Sequence, residues 1–175
     1  MVNVTKDDLL EIFQKNTSSV SDTDVAQTGA KPQANTLAVT YGKNQEGPVT
    51  LSVLLKSPVA NGTISSAFGE RDGKFHQGLD IAADTDTPIT ASLTGTVKEA
   101  GENESYGKYV LLDHGSGIET RYAHCNSISV KQGDHVNMGD EIAKVGSTGD
   151  SSGPHVHLEL LIDGTPYNPQ TVLQK

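Results

Sequence analysis

From residue 58 onward the chain is a series of short apolar runs punctuated by glycine, and that rhythm leaves little room for anything but β-structure. Fifteen of the 18 glycines fall in 58–175. The runs lie at 94–100, 106–113, 118–124, 141–145 and 155–162. Between them stand turn-forming stretches such as Asp113-His114-Gly115-Ser116-Gly117, Gln132-Gly133-Asp134, Met138-Gly139-Asp140 and Asp163-Gly164. Short strands with regular turn signals and no helical period predict a mainly β, antiparallel, sandwich-like domain. A chain with no Trp and few aromatics would fill such a core with Val, Ile, Leu and Ala.

Residues 1–57 read as different material. Thr5, as N-cap, with Asp8 in the capping-box position and Leu9, Leu10, Ile12 and Phe13 behind it, predicts a helix of about two to three turns. From 16 to about 47 the chain is Ser, Thr, Asp, Gln, Gly and Asn with little periodicity, which predicts an irregular arm or linker. Val49, Leu51 and Val53 alternate with Thr50, Ser52 and Leu54, allowing one edge strand into the domain that begins at 58.

Charge narrows the partners. Residues 58–175 carry eight Lys/Arg against sixteen Asp/Glu, a net of −8 within a whole-chain charge of −9. An acidic domain is a poor partner for nucleic acid or for an anionic lipid surface, and it tolerates a cation well. No stretch reaches the roughly 18 apolar residues needed to span a bilayer. The N-terminus lacks the charged and apolar regions of a signal peptide, so either the protein is cytoplasmic or an export or anchoring segment lies outside this chain. One Cys, Cys125, cannot form an intramolecular disulfide and reads as a small buried residue.

All six histidines lie between 76 and 157. In His155-Val156-His157-Leu158-Glu159-Leu160 polar and apolar residues alternate strictly, so on a strand His155, His157 and Glu159 share one face and Val156, Leu158 and Leu160 take the other. Imidazoles at i and i+2 stand ~7 Å apart and can both reach one small site, without both having to bind a metal. His76-Gln77-Gly78-Leu79-Asp80 supplies a second piece: Gly78 favours a turn entering a strand over a helix, and carboxylate with imidazole is ordinary zinc chemistry. The third is Arg121-Tyr122-Ala123-His124-Cys125, ending a strand on which Tyr122 and His124 share a face with Cys125 opposite. Taken singly each piece also reads as ordinary structure, and His114 and His135 receive no role.

Together the three pieces resemble the lysostaphin-type family of peptidoglycan zinc endopeptidases. The marks are H-x-G-x-D at His76–Asp80, Y-A-H at Tyr122–His124 and G-P-H-x-H-x-E at Gly153–Glu159, and the likeness runs over about 58–170. The resemblance implies one Zn²⁺ per chain held by His76, Asp80 and His157, with a fourth position open for water as in catalytic sites. It implies catalytic roles for His124 and His155, and makes Tyr122 a candidate substrate contact. Glu159 is a candidate acceptor for an imidazole N–H behind the metal, or a solvated strand residue. The implied substrate is a peptidoglycan peptide, and the implied location is extracytoplasmic, at the wall or the outer face of the membrane. One alternative is a zinc-binding scaffold of the same fold, such as a sporulation engulfment component with a membrane-anchored protein partner. A carbohydrate-phosphotransfer domain is a further one, which would leave the H-x-G-x-D pair without purpose. The arm of 1–57 is then a stalk or a latency segment covering the groove, with the stalk preferred.

Overall fold

The computed structural model describes residues 39–41, 49–51, 54–71 and 73–174. The helix expected from Thr5 lies outside the described residues, as does most of the polar arm. Two short strands precede the domain: β1 (Val39–Tyr41) and β2 (Val49–Leu51) pair antiparallel, Val39 opposite Leu51. β2 is the strand expected from the Val49/Leu51 alternation. β1 falls inside the stretch read as linker, where Val39-Thr40-Tyr41 is a local cluster of β-branched and aromatic residues.

The domain follows as β3 (Thr63–Ser66), β4 (Gly69–Arg71), β5 (Lys74–His76), β6 (Leu79–Ala82), β7 (Pro88–Thr90), β8 (Gly95–Asn103), β9 (Gly107–Asp113), β10 (Ile118–Cys125), β11 (Ser127–Ile128), β12 (His135–Val136), β13 (Glu141–Lys144), β14 (His155–Ile162) and β15 (Thr165–Tyr167). A single 3₁₀ turn at Pro169–Thr171 closes it. The main sheet runs β12-β8-β9-β10-β14-β6-β3, with β15 also pairing β14. A second sheet runs β11-β13-β7, and β4-β5 is a separate hairpin. All pairings between these strands are antiparallel.

The larger core lies between the two sheets. Leu79, Ile81, Val97, Val110, Leu112, Tyr122, Val156 and Leu158 come from the main sheet and meet Ile89, Ile142 and Ala143 of the second. Each fully buried Val, Leu or Ile contributes about 1.5–3 kcal/mol relative to exposure. A smaller cluster joins Leu55, Leu93, Ile118, Leu160, Ile162, Tyr167 and Val172. Leu55 therefore packs with the domain although it precedes residue 58: its N–H donates to Val172 O at 2.8 Å, and Gln174 N–H donates to Leu55 O at 2.7 Å. Among the described residues no helix is long and apolar enough to cross a membrane.

Candidate metal centre and catalytic groove

β14 organises the site because it lies between β10 and β6 in the main sheet. Its alternation sends Val156 and Leu158 into the core and turns His155, His157 and Glu159 into an open groove of about 370 Å³. Register with β6 sets Asp80 directly opposite His157. His76 ends β5, and Gln77-Gly78 turns the chain into β6, so His76 and Asp80 face the same point. Gly78 has to be small there: a Cβ would stand 2.6 Å from His157 Cε1 and 2.8 Å from Leu158 O.

β10 breaks the expected alternation. Its register with β9 shifts between Tyr122 and Cys125, and His124 has φ +63°, a left-handed conformation that costs of order 1–3 kcal/mol for a non-glycine residue. The bulge puts Tyr122 and Cys125 together in the core and leaves His124 on the groove. Tyr122 is thus a core residue, not a substrate contact: it is fully buried, and its hydroxyl accepts the Ser92 N–H at 2.8 Å. Its neighbour Cys125 is also buried, which pushes the thiol up to about 12.

Each of the four groove histidines has one ring nitrogen tied to an acceptor. His76 Nδ1 donates to Ala67 O at 2.8 Å, His124 Nδ1 to Thr148 O at 2.8 Å, and His155 Nδ1 to Gly153 O at 2.8 Å. His157 Nε2 donates to Glu159 Oε1 at 3.3 Å. Carbonyls and carboxylates only accept, so in each neutral imidazole the remaining nitrogen carries a lone pair. Three such lone-pair atoms converge: His76 Nε2 and His157 Nδ1 are 3.1 Å apart, and Asp80 Oδ1 lies 3.1 Å from the first and 2.8 Å from the second. A proton can satisfy one pair of these atoms, whereas a divalent cation satisfies all three. Tetrahedral zinc with bonds of 2.0–2.2 Å places its ligands about 3.3 Å apart, close to the observed triangle. His76, Asp80 and His157 can therefore hold a metal ion. His155 Nε2 stands further back, 3.7 Å from Asp80 Oδ1, and the His124 ring lies 4.8 Å from the His155 ring.

The electrostatics follow from burial and pairing. Burial opposes charge on Asp80, but hydrogen bonding to His157 and His76 outweighs it and holds the carboxyl below the usual carboxylate range. Burial likewise opposes a charged His157, yet the flanking Asp80 and Glu159 carboxylates raise it. His124 is lowered, first by burial and then by its neighbours His155 and His157, so it stands neutral and able to accept a proton.

Glu159 is buried, not solvated: it receives Tyr106 OH at 3.0 Å and a close ion pair from Arg121, and it is held below its ordinary value although burial opposes that. Arg121 also donates to Tyr106 OH at 2.8 Å and lies over that ring at 4.5 Å. Arg121, Tyr106 and Thr148 are site residues that the motifs do not mark. Thr148 offers its carbonyl to His124, while its hydroxyl accepts Lys108 N–H at 3.0 Å and donates to Cys125 O at 2.8 Å. Their only sequence signal is position: Arg121 directly precedes the Tyr122–His124 motif, while Tyr106 and Thr148 stand in glycine-containing stretches at 106–110 and 145–149.

Residues 74–169 match the model of Peptidase family M23. Over 121 residues the chain is 42% identical to the DD-carboxypeptidase/endopeptidase Mpg of Neisseria meningitidis serogroup B, a match covering 66% of this chain and 28% of Mpg. The chain thus spans less than a third of that relative's length. Among solved structures, the catalytic domain of lysostaphin from Staphylococcus simulans superposes with TM-score 0.59 and 29% identity, covering 63% of this chain and 90% of that one. A chain of the SpoIIQ–SpoIIIAH pore-forming complex superposes with TM-score 0.65 and 30% identity, covering 70% and 92%. With the family match extending over more than half of its length, and with the three histidine motifs inside or beside that span, the chain belongs to peptidase family M23.

Proposed function

We propose that the chain is the catalytic domain of a zinc-dependent endopeptidase that hydrolyses peptide bonds in peptidoglycan stem peptides or cross-bridges outside the cytoplasmic membrane. The observation that carries this reading is the triangle of inner donor atoms on His76, Asp80 and His157 beside two further imidazoles in one open groove. Mpg, named as a DD-carboxypeptidase/endopeptidase, supports the peptidase reaction.

In this reading His76, Asp80 and His157 hold one Zn²⁺, which supplies Lewis acidity toward a water and a carbonyl. The chain's own residues do the rest. His124 and His155 each spend Nδ1 on a backbone carbonyl, which leaves Nε2 as the ring atom that can take a proton from an attacking water. Once protonated, the imidazole becomes a donor that steadies the oxyanion and then returns the proton to the leaving amine. Glu159, fixed by Arg121 and Tyr106, holds His157 in the tautomer that leaves Nδ1 free. The arm that precedes Leu54 acts as a stalk in this reading.

Metal analysis and a chelation assay test this directly. We expect one zinc per chain, lost in His76→Ala and Asp80→Ala. Release of new amino groups from peptidoglycan should stop with a chelator and resume with zinc. Zinc bound stoichiometrically with no amino-group release would favour a scaffold of the same fold.

A further inference from the structure

Among the residues lining the groove the charged ones are acidic, Asp80, Asp150 and Glu159, with a single exception. That exception is Arg71, at the end of β4 in the β4-β5 hairpin. The surrounding domain carries −8, so its general field disfavours an anionic substrate. A lone guanidinium at the groove is therefore the feature that would decide whether an anion is accepted there.

The geometry of Arg71 suits that task. Its side chain is 50% exposed, and Nη1 makes both of its contacts, a hydrogen bond to Ser66 Oγ and an approach of 3.9 Å to Asp80 Oδ2. Nε and Nη2 have no partner among the described residues. These two form one edge of the guanidinium fork, with parallel N–H donors that match the two oxygens of a carboxylate. The contact with Asp80 also fixes the location. Asp80 turns Oδ1 toward His76 and His157 and Oδ2 toward Arg71, so only one carboxyl group separates the guanidinium from the metal position. A carboxylate held by Arg71 would belong to a substrate residue at the scissile bond. As a structural partner for Asp80, a half-exposed pair at 3.9 Å has little effect, since solvent screens it.

We propose that Arg71 is a specificity-determining residue that recognises a free carboxylate on the carbon bearing the leaving amine, and so favours acid substrates over their amides. The proposal rests on the peptidase reading above and names its substrate class more narrowly.

Two peptides sharing one D,D-peptide bond, one with that carboxylate free and one with it as carboxamide, provide the test. Their kcat/KM values are measured with the wild-type zinc protein, Arg71→Gln and Arg71→Lys. Binding of both peptides is measured by calorimetry to His124→Ala, with and without Arg71→Gln. We expect the wild type to favour the acid by roughly tenfold, mainly through KM, as a charge-assisted bidentate pair allows. Arg71→Gln should level the two peptides, Arg71→Lys should retain part of the gap, and calorimetry should show the same pattern. Equal handling of both peptides by the wild type, or a gap that survives Arg71→Gln, would overturn the proposal. So would an equal loss of kcat on both peptides, which would mean that Arg71 acts through Asp80. If neither peptide is cut but the binding gap is present and Arg71-dependent, the peptidase reading fails and the Arg71 assignment stands. If both are cut without discrimination, the reverse holds.

Discussion

Position 78 shows how little freedom the residues around the metal triangle have. Ala at 78 would drive its Cβ into the His157 ring and the Leu158 carbonyl, neither of which can retreat without disturbing β14. Gly78→Ala is therefore expected to fold but to bind zinc at least tenfold more weakly, read by competition with a chromophoric chelator; unchanged zinc affinity would contradict the steric argument. Thr148 is constrained through hydrogen bonds instead. Thr148→Val keeps the shape and removes both hydroxyl bonds, leaving the Lys108 N–H and the Cys125 carbonyl without their partner. It should lower kcat with KM and zinc content little changed, and Thr148→Ser should restore most of the activity. At this scale the candidate residues were legible, because imidazole and carboxylate declare their chemistry, but the choice of His76, Asp80 and His157 over His155 as ligands came from the family resemblance and not from spacing. Of the groups that orient the four imidazoles, only Glu159 could be named from the sequence, since the carbonyls of Ala67, Thr148 and Gly153 are backbone atoms that any residue type supplies.

Among the elements, β14 was readable and β10 was not, for one physical reason. The alternation 155–160 continues unbroken, so the faces of His155, His157 and Glu159 follow from period two. In β10 a bulge adds a residue between Tyr122 and Cys125, and every face assignment beyond it reverses. No residue in Tyr122-Ala123-His124-Cys125 announces that bulge, as a glycine would have done. The turn after β9 and strand β10 also share a buried polar chain. His114 Nδ1 donates to Thr94 O at 3.0 Å, and its Nε2 lies 2.7 Å from Thr120 Oγ1, which lies 2.9 Å from Tyr122 OH. With Nδ1 protonated, neutral His114 accepts the Thr120 proton, and Tyr122 donates in turn to Thr120. Burial holds His114 below its ordinary 6.5, so the unfolded chain takes up the proton more readily than the folded one. The stability contributed by neutral His114 is complete above about pH 6.5 and is lost as pH falls from there through the folded-state value. Urea unfolding at pH 7.5 and pH 5.5 should show a larger drop in the wild type than in His114→Gln, and equal drops would contradict this assignment.

For the whole molecule, composition changes at residue 58, yet packing with the domain begins earlier, at Leu55. Leu55 is fully buried and hydrogen-bonded to both Val172 and Gln174, so the N- and C-terminal ends of the domain lock together. A shortened chain should therefore start at Leu54. Starting at Pro58 would open a leucine-sized cavity and cost about 2–4 kcal/mol, visible as a lower thermal midpoint. If 1–53 is a stalk, the chain starting at Leu54 should cleave as fast as the full one, whereas a latency segment would make the shorter chain faster. With a net charge of −8 over residues 58–175, any binding to the wall would have to come from the groove rather than from basic attraction. Central to the proposed function is the claim that the metal triangle and its two neighbouring imidazoles cut peptide bonds in the wall. Digestion of purified peptidoglycan by the zinc-loaded chain, followed by mass analysis of the fragments, tests that claim most directly. We predict fragments that differ from the intact wall by hydrolysis of one peptide-bond type, absent with chelator and absent with His124→Ala. A zinc-loaded chain that leaves the peptide bonds intact would contradict it.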